Sequence, residues 1–288
     1  MNPYSPFVSQ FARLVTEGRT LPLGGIPPLS RPRSAPDAPV ALIFSPHPDD
    51  ECIIGGLALR LGREAGWRVV NVAVTLGSNK ERQQPRWREL QNACGWLGFD
   101  LEGAAPNGLE RINPKTRAGD PAHWSGAVKA IAGSLTKHQP RAIFFPHEAD
   151  WNSTHIGTHF LVMDALKSLP PDFQTALVET EFWGQMPSPN LMVESSGEDL
   201  ADLLAALSFH VGEVRRNPYH LRLPAWMQDN VRRGAELVGG QGGAAPDFTF
   251  ATLYRVRTRE NGRVTELFSG GKQIGVRDFP GSALDWSR

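Results

Sequence analysis

The stretch Val40-Ala-Leu-Ile-Phe-Ser-Pro-His-Pro-Asp-Asp-Glu51 decides the fold, because an apolar run changes abruptly into prolines, a histidine and three acids. Val40 to Phe44 has the length and composition of a strand that is buried on both faces, as in a parallel sheet. Ile53 to Gly66 has the pattern of a helix that ends at a glycine. Trp67 to Leu76 is a second run rich in valine. Strand, helix and strand follow with short connections, which predicts a βαβ unit.

The same alternation continues along the chain. Helices are predicted over Pro85 to Gly98 and over His123 to His138, and a third buried strand over Arg141 to Pro146. A further helix over Ser153 to Leu169 has Ser153 as its N-cap. More strands and helices follow to about residue 256. The sequence therefore predicts an α/β fold with a Rossmann-like, doubly wound, mostly parallel sheet and a C-terminal elaboration.

Proline marks the predicted domain boundary. Five prolines fall between Pro27 and Pro39, where they interrupt any helix or central strand. We therefore expect residues 1–39 to form a proline-rich N-terminal leader and residues 40–288 to form a single α/β domain. A chain of 288 residues is long enough for one large core of this kind.

The composition excludes several classes of function. Thirty lysine and arginine residues balance thirty acidic residues, so no net charge attracts the chain to nucleic acid or to an anionic bilayer. Apolar runs such as Val69 to Leu76 are much shorter than the roughly 20 residues of a membrane helix, so we expect no membrane span. The N-terminus lacks the apolar segment of an export signal, and two cysteines suit a reducing compartment. These features predict a cytoplasmic protein without a nucleic-acid partner.

Side chains that can bind a metal follow the first strand. Ligands of such sheets bind beyond the carboxyl ends of the strands. His47 and Asp50 are three residues apart across the strand-to-helix turn, so both could reach one ion about 2.0–2.2 Å away. Asp49, between them, could accept a proton from a metal-bound water. The alternative is that these acids only cap the following helix.

A second group of histidines, His147, His155 and His159, follows the third strand. His155 and His159 are one helical turn apart and can face the same way at the mouth of the sheet. A zinc catalyst typically has three protein ligands and one position for water or substrate, so His47, Asp50 and one of these two histidines would suffice. The alternative is that each histidine caps a helix or is hydrogen-bonded in the core.

These two segments resemble the LmbE-like (PIG-L) family of zinc-dependent deacetylases, which includes N-acetylglucosaminyl-phosphatidylinositol de-N-acetylases. The likeness runs from about Val40 to His159 and less clearly to about residue 256. Its most specific element is His47-Pro-Asp-Asp-Glu51, and Arg86-x-x-Glu89 resembles the Arg-x-x-Glu helix of the family.

The resemblance implies a role for each matching residue. His47 and Asp50 would bind Zn²⁺ with His155 as the third ligand, and His159 is the alternative third ligand. Asp49 would be the general base, and Arg86 would contact the substrate.

The chain departs from the family pattern in two segments. The first histidine of the family's His-x-Asp-His segment aligns with Asn152, which becomes a candidate substrate-binding residue. His147, His159 and His210 are candidates for the role of that histidine, and His210 resembles a C-terminal histidine of the family. The family's Pro-Asp-Gly reads Pro106-Asn-Gly108, so a sugar-binding acid is replaced here.

The resemblance implies a zinc-dependent hydrolase that removes an N-acyl group, most simply N-acetyl, from a small amino-sugar substrate or glycoconjugate. Two alternatives stay open: a zinc-dependent hydratase of an unsaturated carboxylic acid on the same scaffold, and a non-catalytic relative that binds sugar or metal. The sequence also leaves open whether the protein forms a homo-oligomer.

Overall fold

A sheet of nine strands forms the centre of the computed structural model, which describes residues 2–27 and 34–284. The strands are β1 (Val40–Ser45), β2 (Arg68–Ala73), β3 (Asp100–Gly103), β4 (Ala142–Pro146), β5 (Thr175–Thr180), β6 (Leu191–Ser195), β7 (Phe250–Glu260), β8 (Arg263–Glu266) and β9 (Lys272–Ile274). Five strands are parallel neighbours in the order β3-β2-β1-β4-β5. β7 is antiparallel to β5, β6 and β8, and β9 is parallel to β6.

Helices cover both faces of this sheet. They are α1 (Ser5–Gly18), α2 (Asp50–Ile53), α3 (Gly56–Glu64), α4 (Lys80–Leu97), α5 (Pro114–Gly119), α6 (Pro121–His138), α7 (Ser153–Ser168), α8 (Gly197–Ser208), α9 (Val211–Arg216) and α10 (Leu223–Leu237), with short 3-10 turns at Tyr219–Arg222 and Pro280–Leu284. One apolar layer contains residues of α3, α4 and α8, and the other contains residues of α6 and α7. The predicted α/β class, mostly parallel sheet and C-terminal elaboration are confirmed.

The helix after β1 differs from its prediction. Instead of one helix over Ile53 to Gly66, the chain forms α2 and α3, which are separated at Gly55. Gly55 has φ +79°, and a Cβ there would lie 1.9 Å from Oγ1 of Thr252 on β7. The chain can approach β7 this closely only with glycine, and the positive φ redirects the backbone at that point.

The pairing of β1 with β4 brings the two predicted metal-binding segments together. Ala41 pairs with Ala142 and Ile43 with Phe144 in parallel register. The carboxyl ends of two adjacent parallel strands lie at the same edge of the sheet. The turn after β1 and the loop after β4 therefore meet there.

The N-terminal segment contributes α1, which has no buried residue. The predicted boundary at residue 39 stays a prediction, and Pro28 and Pro32 lie outside the described residues. None of the helices within residues 2–27 and 34–284 combines the length and the apolar character that a bilayer span requires.

Candidate metal centre and active site

The turn after β1 has a strained backbone at Asp49. Its φ of +118° lies in a region that residues other than glycine rarely adopt. Asp50 Oδ2 accepts the His47 N–H at 2.8 Å, and Glu51 Oε2 accepts the Asp49 N–H at 2.9 Å. Strain of this kind persists where neighbouring contacts hold the conformation. These two hydrogen bonds hold the turn from within.

A fully buried pair supports the same turn from behind. The second carboxylate oxygen of Glu51 lies 2.7 Å from Nε2 of His210, and neither side chain is exposed. Burial opposes protonation of His210, but the Glu51 carboxylate raises the pKa of the imidazole above its usual range. His210 directly precedes α9, so this contact also fixes α9 against the turn.

His47, Asp50 and His155 form a compact triangle of possible metal ligands. His47 Nδ1 lies 3.2 Å from His155 Nε2 and 3.5 Å from Asp50 Oδ2. His155 Nε2 lies 3.3 Å from Asp50 Oδ2. Ligands bonded at about 2.0–2.1 Å to a tetrahedral ion lie about 3.3–3.4 Å apart. The nitrogen and oxygen donors and their spacing therefore fit a zinc ion.

The electrostatic environment of this triangle favours positive charge. Burial opposes protonation of His155, but Asp50 on one side and Asp150 on the other raise its pKa to about 10. Burial would by itself raise the pKa of Asp50, yet His155 and His47 hold the pKa well below its usual range. Asp150 Oδ1 lies 3.6 Å from His155 Nδ1, on the side of the ring opposite Nε2. A carboxylate in that position orients many metal-binding histidines.

The other candidate histidines lie outside this triangle. His159 Nδ1 lies 2.9 Å from the carbonyl oxygen of Pro146, and burial lowers the pKa of His159 to about 4. His147 is buried, and its Nε2–H donates to the carbonyl oxygen of Gly184 at 2.9 Å. The structure thus brings His155, and not His159, to His47 and Asp50.

A cavity of about 470 Å³ opens beside the triangle. Its walls combine acids, arginines, amides and aromatic side chains. The lining residues are His47, Asp49, Asp50, Arg86, Trp151, Asn152, Trp183, Glu213, Arg216, Asn217 and Tyr219. The candidates Arg86 and Asn152 therefore line this cavity, whereas His147 and His210 are not among its lining residues.

The Asp49 carboxylate contacts two other groups of the cavity wall. The Tyr219 hydroxyl donates to Asp49 Oδ2 at 2.5 Å, and Arg86 Nη2 lies 3.8 Å from Asp49 Oδ1. Arg86 Nη2 also donates to the carbonyl oxygen of Pro48 at 2.8 Å. Burial, with the neighbouring Asp50, raises the pKa of Asp49 above its usual range. Sequence reasoning missed the contact with Tyr219, because no local pattern links residues so far apart.

Comparisons with known proteins agree on the fold. The N,N'-diacetylchitobiose deacetylase of Pyrococcus horikoshii has a TM-score of 0.57 at 18% identity, over 89% of this chain and 94% of that chain. The 4-carboxy-2-hydroxymuconate hydratase GalB of Pseudomonas putida has a TM-score of 0.56 at 16% identity, over 76% of this chain and 95% of that chain. The conserved protein TT1542 of Thermus thermophilus has a TM-score of 0.53 at 20% identity, over 75% of this chain and 93% of that chain. At these identities the likeness shows the shared fold.

Sequence comparison finds a family likeness in one segment of the chain. No curated protein sequence matches the chain. The PIG-L family model, described as GlcNAc-PI de-N-acetylase, matches residues 42–166. That segment contains the turn after β1 and the start of α7, and therefore all three residues of the triangle. Over this segment the chain is similar to the PIG-L (LmbE-like) family.

Proposed function

We propose that the protein is a zinc-dependent hydrolase that removes an N-acyl group, in the simplest case N-acetyl, from an amino sugar or glycoconjugate. The observation that carries the proposal is the triangle of His47, Asp50 and His155 with the Asp49 carboxylate beside it, where His47, Asp49 and Asp50 line one cavity. The family match over residues 42–166 supports the choice of an amide substrate. Two buried free cysteines, Cys52 and Cys94, support a cytoplasmic location.

Each residue of the site has a part in this proposal. His47, Asp50 and His155 would hold the zinc ion, which when bound supplies a Lewis acid toward the amide carbonyl and lowers the pKa of water. Asp49 accepts a proton as water adds to the amide carbon. It returns that proton to the nitrogen as the carbon–nitrogen bond breaks, so the products are a carboxylic acid and a free amine.

The neighbours of Asp49 orient it for both proton transfers. Tyr219 and Arg86 lie on its two carboxylate oxygens. Asn152 Oδ1 accepts the N–H of Thr154 at the start of α7, which leaves the Asn152 NH₂ group for a substrate oxygen. In this arrangement Asn152 and Arg86 contact the substrate from the cavity wall.

The two buried histidines act from behind the cavity in this proposal. His210 positions Glu51, and Glu51 in turn holds the strained Asp49 backbone. His147 braces the loop that contains Gly184. Both histidines can fill these supporting roles without contact with the substrate.

The charges around the cavity argue against the hydratase alternative. A substrate with several carboxylates calls for several converging cations that are free to bind it. Arg216 pairs with Glu213 at 2.5 Å, and Arg86 donates to a backbone carbonyl. The cations that line this cavity thus have partners within the chain.

The first prediction concerns metal content. The protein should bind one zinc ion per chain, and His47→Ala, Asp50→Ala and His155→Ala should each lose it, because each removes one of three ligands. The matched control is His159→Ala, which lies outside the triangle and should keep its zinc. Elemental analysis after dialysis measures this. Full occupancy in His155→Ala together with loss in His159→Ala would contradict the ligand set.

The second prediction separates metal binding from proton transfer. Asp49→Asn keeps the size of the side chain, but the amide cannot accept the proton. The variant should retain zinc and lose on the order of 10²-fold or more in kcat. Asp172→Asn, at an exposed position, is the control and should leave kcat unchanged. Near-normal turnover by the zinc-loaded Asp49→Asn protein would rule out Asp49 as the base.

The third prediction concerns the reaction itself. Zinc-loaded protein should release a primary amine from at least one of a panel of N-acetyl amino sugars, and a chelator should abolish the release, because the metal takes part in hydrolysis. A parallel panel of unsaturated dicarboxylic and tricarboxylic acids should keep its ultraviolet absorbance. Chelator-sensitive loss of that absorbance without any amine would favour the hydratase. Bound zinc without turnover on either panel would favour the non-catalytic relative.

A further inference from the structure

Two tryptophans at the mouth of the cavity are exposed to solvent. Trp151 is 78% exposed and Trp183 is 37% exposed, and both line the cavity beside His47. Within the described residues, every other strongly exposed large apolar side chain lies before residue 22 or after residue 236. Tryptophan is largely buried in most proteins, so a pair exposed at one cavity indicates a binding surface.

The loops that carry these tryptophans are held together by one buried carboxylate. Asp150 Oδ2 accepts the backbone N–H of Trp183 at 3.1 Å and that of Gly184 at 3.2 Å. Its other oxygen accepts the N–H of Asn152 at 2.9 Å. The side chain of Asp150 is fully buried, and the same oxygen faces His155. One residue thus fixes both tryptophan loops relative to the triangle.

Three further contacts hold this arrangement in place. His147 donates from Nε2 to the carbonyl oxygen of Gly184, which ties the second loop to the end of β4. A Cβ at Gly184 would lie 2.8 Å from the Cα of Asp150, so the two loop backbones touch. Trp183 also packs edge-on against Tyr219, with 5.2 Å between ring centroids. Surfaces that are ordered before binding lose less entropy when a ligand arrives.

The other wall of the cavity is polar but has little free charge. Glu213 is hydrogen-bonded to Arg216 and lies 3.9 Å from Arg86 Nε, and Asn217 adds an amide. Such a wall suits hydroxyl groups, which donate and accept hydrogen bonds without carrying charge. A pyranose ring matches both walls, because one face presents C–H groups to an aromatic ring while its edge presents hydroxyls. A purely aromatic group would leave the polar wall without partners.

We propose that Trp151 and Trp183 form a stacking subsite for a second, neutral sugar ring, next to the N-acyl sugar that reacts at the triangle. The inference rests on the proposed function, since it assigns the substrate class to a disaccharide or longer glycan. Asp150 is a positioning residue for this subsite through its hydrogen bonds to both loops.

The test compares N,N'-diacetylchitobiose with N-acetylglucosamine. In zinc-loaded wild-type protein kcat/KM should be higher for the disaccharide than for the monosaccharide. The double variant Trp151→Ala/Trp183→Ala should lower this preference, the quotient of the two kcat/KM values, by about tenfold, as expected for lost ring stacking. Phe279→Ala is the control, because Phe279 is 61% exposed and does not line the cavity.

Calorimetry supplies a readout that does not depend on turnover. In the Asp49→Asn background, the disaccharide should bind about tenfold more tightly than the monosaccharide, and removal of both tryptophans should abolish the difference. If the wild-type protein releases no amine but this binding pattern holds, the proposed function fails and the subsite stands.

Three results would overturn the subsite. Equal binding of the two sugars by the protein with both tryptophans is the first, and a preference that survives the loss of both tryptophans is the second. The third concerns phenyl N-acetylglucosaminide. If its affinity exceeds that of the monosaccharide by as much as the affinity of the disaccharide does, or by more, the occupant is an aryl group and not a sugar.

Discussion

The buried carboxylate of Asp50 needs positive charge beside it, and the rest of the site is arranged around that need. An unpaired carboxylate in a protein interior is strongly destabilising. The protein places His47 and His155 against it, and Asp150 raises the pKa of His155 from the other side of the ring. A divalent cation would meet the same need with two positive charges. The arrangement of β1 beside β4 is what allows these groups to converge.

Asp49 depends on support from distant parts of the chain. Its backbone conformation is held by Glu51, whose partner is His210, and its carboxylate is held by Tyr219. His210 and Tyr219 lie on either side of α9, so one segment supports both the backbone and the side chain of the proposed base. A rigid base next to a rigid ligand set favours proton transfer, because little reorganisation is needed during reaction.

Sequence reasoning was sufficient where local pattern and a general rule of sheet topology combine. The apolar run Val40 to Phe44 and the one that ends at Pro146 predict buried strands of one parallel sheet, so His47 and the later histidines are expected at the same edge. The structure adds that the two strands are neighbours and that His155 is the histidine that reaches His47. The break at Gly55 was not predictable from helical periodicity, because its cause is Thr252, a residue on a distant strand.

Contacts between distant residues and unusual exposure were also beyond the sequence. The contact of Asp49 with Tyr219 spans 170 positions, and that of Glu51 with His210 spans 159. Hydrophobic patterning does not encode such side-chain pairs. The exposure of Trp151 runs against the general preference of tryptophan for burial, so only the structure places it at the cavity.

Anomalous diffraction at the zinc edge from crystals of the zinc-loaded protein tests the central claim most directly. The account predicts one strong peak per chain, about 2.0–2.2 Å from Nδ1 of His47, Oδ2 of Asp50 and Nε2 of His155. It also predicts that the Asp49 carboxylate lies beside the ion without being one of its ligands. A peak coordinated by His159, or bound zinc whose ligands do not include Asp50, would contradict the account.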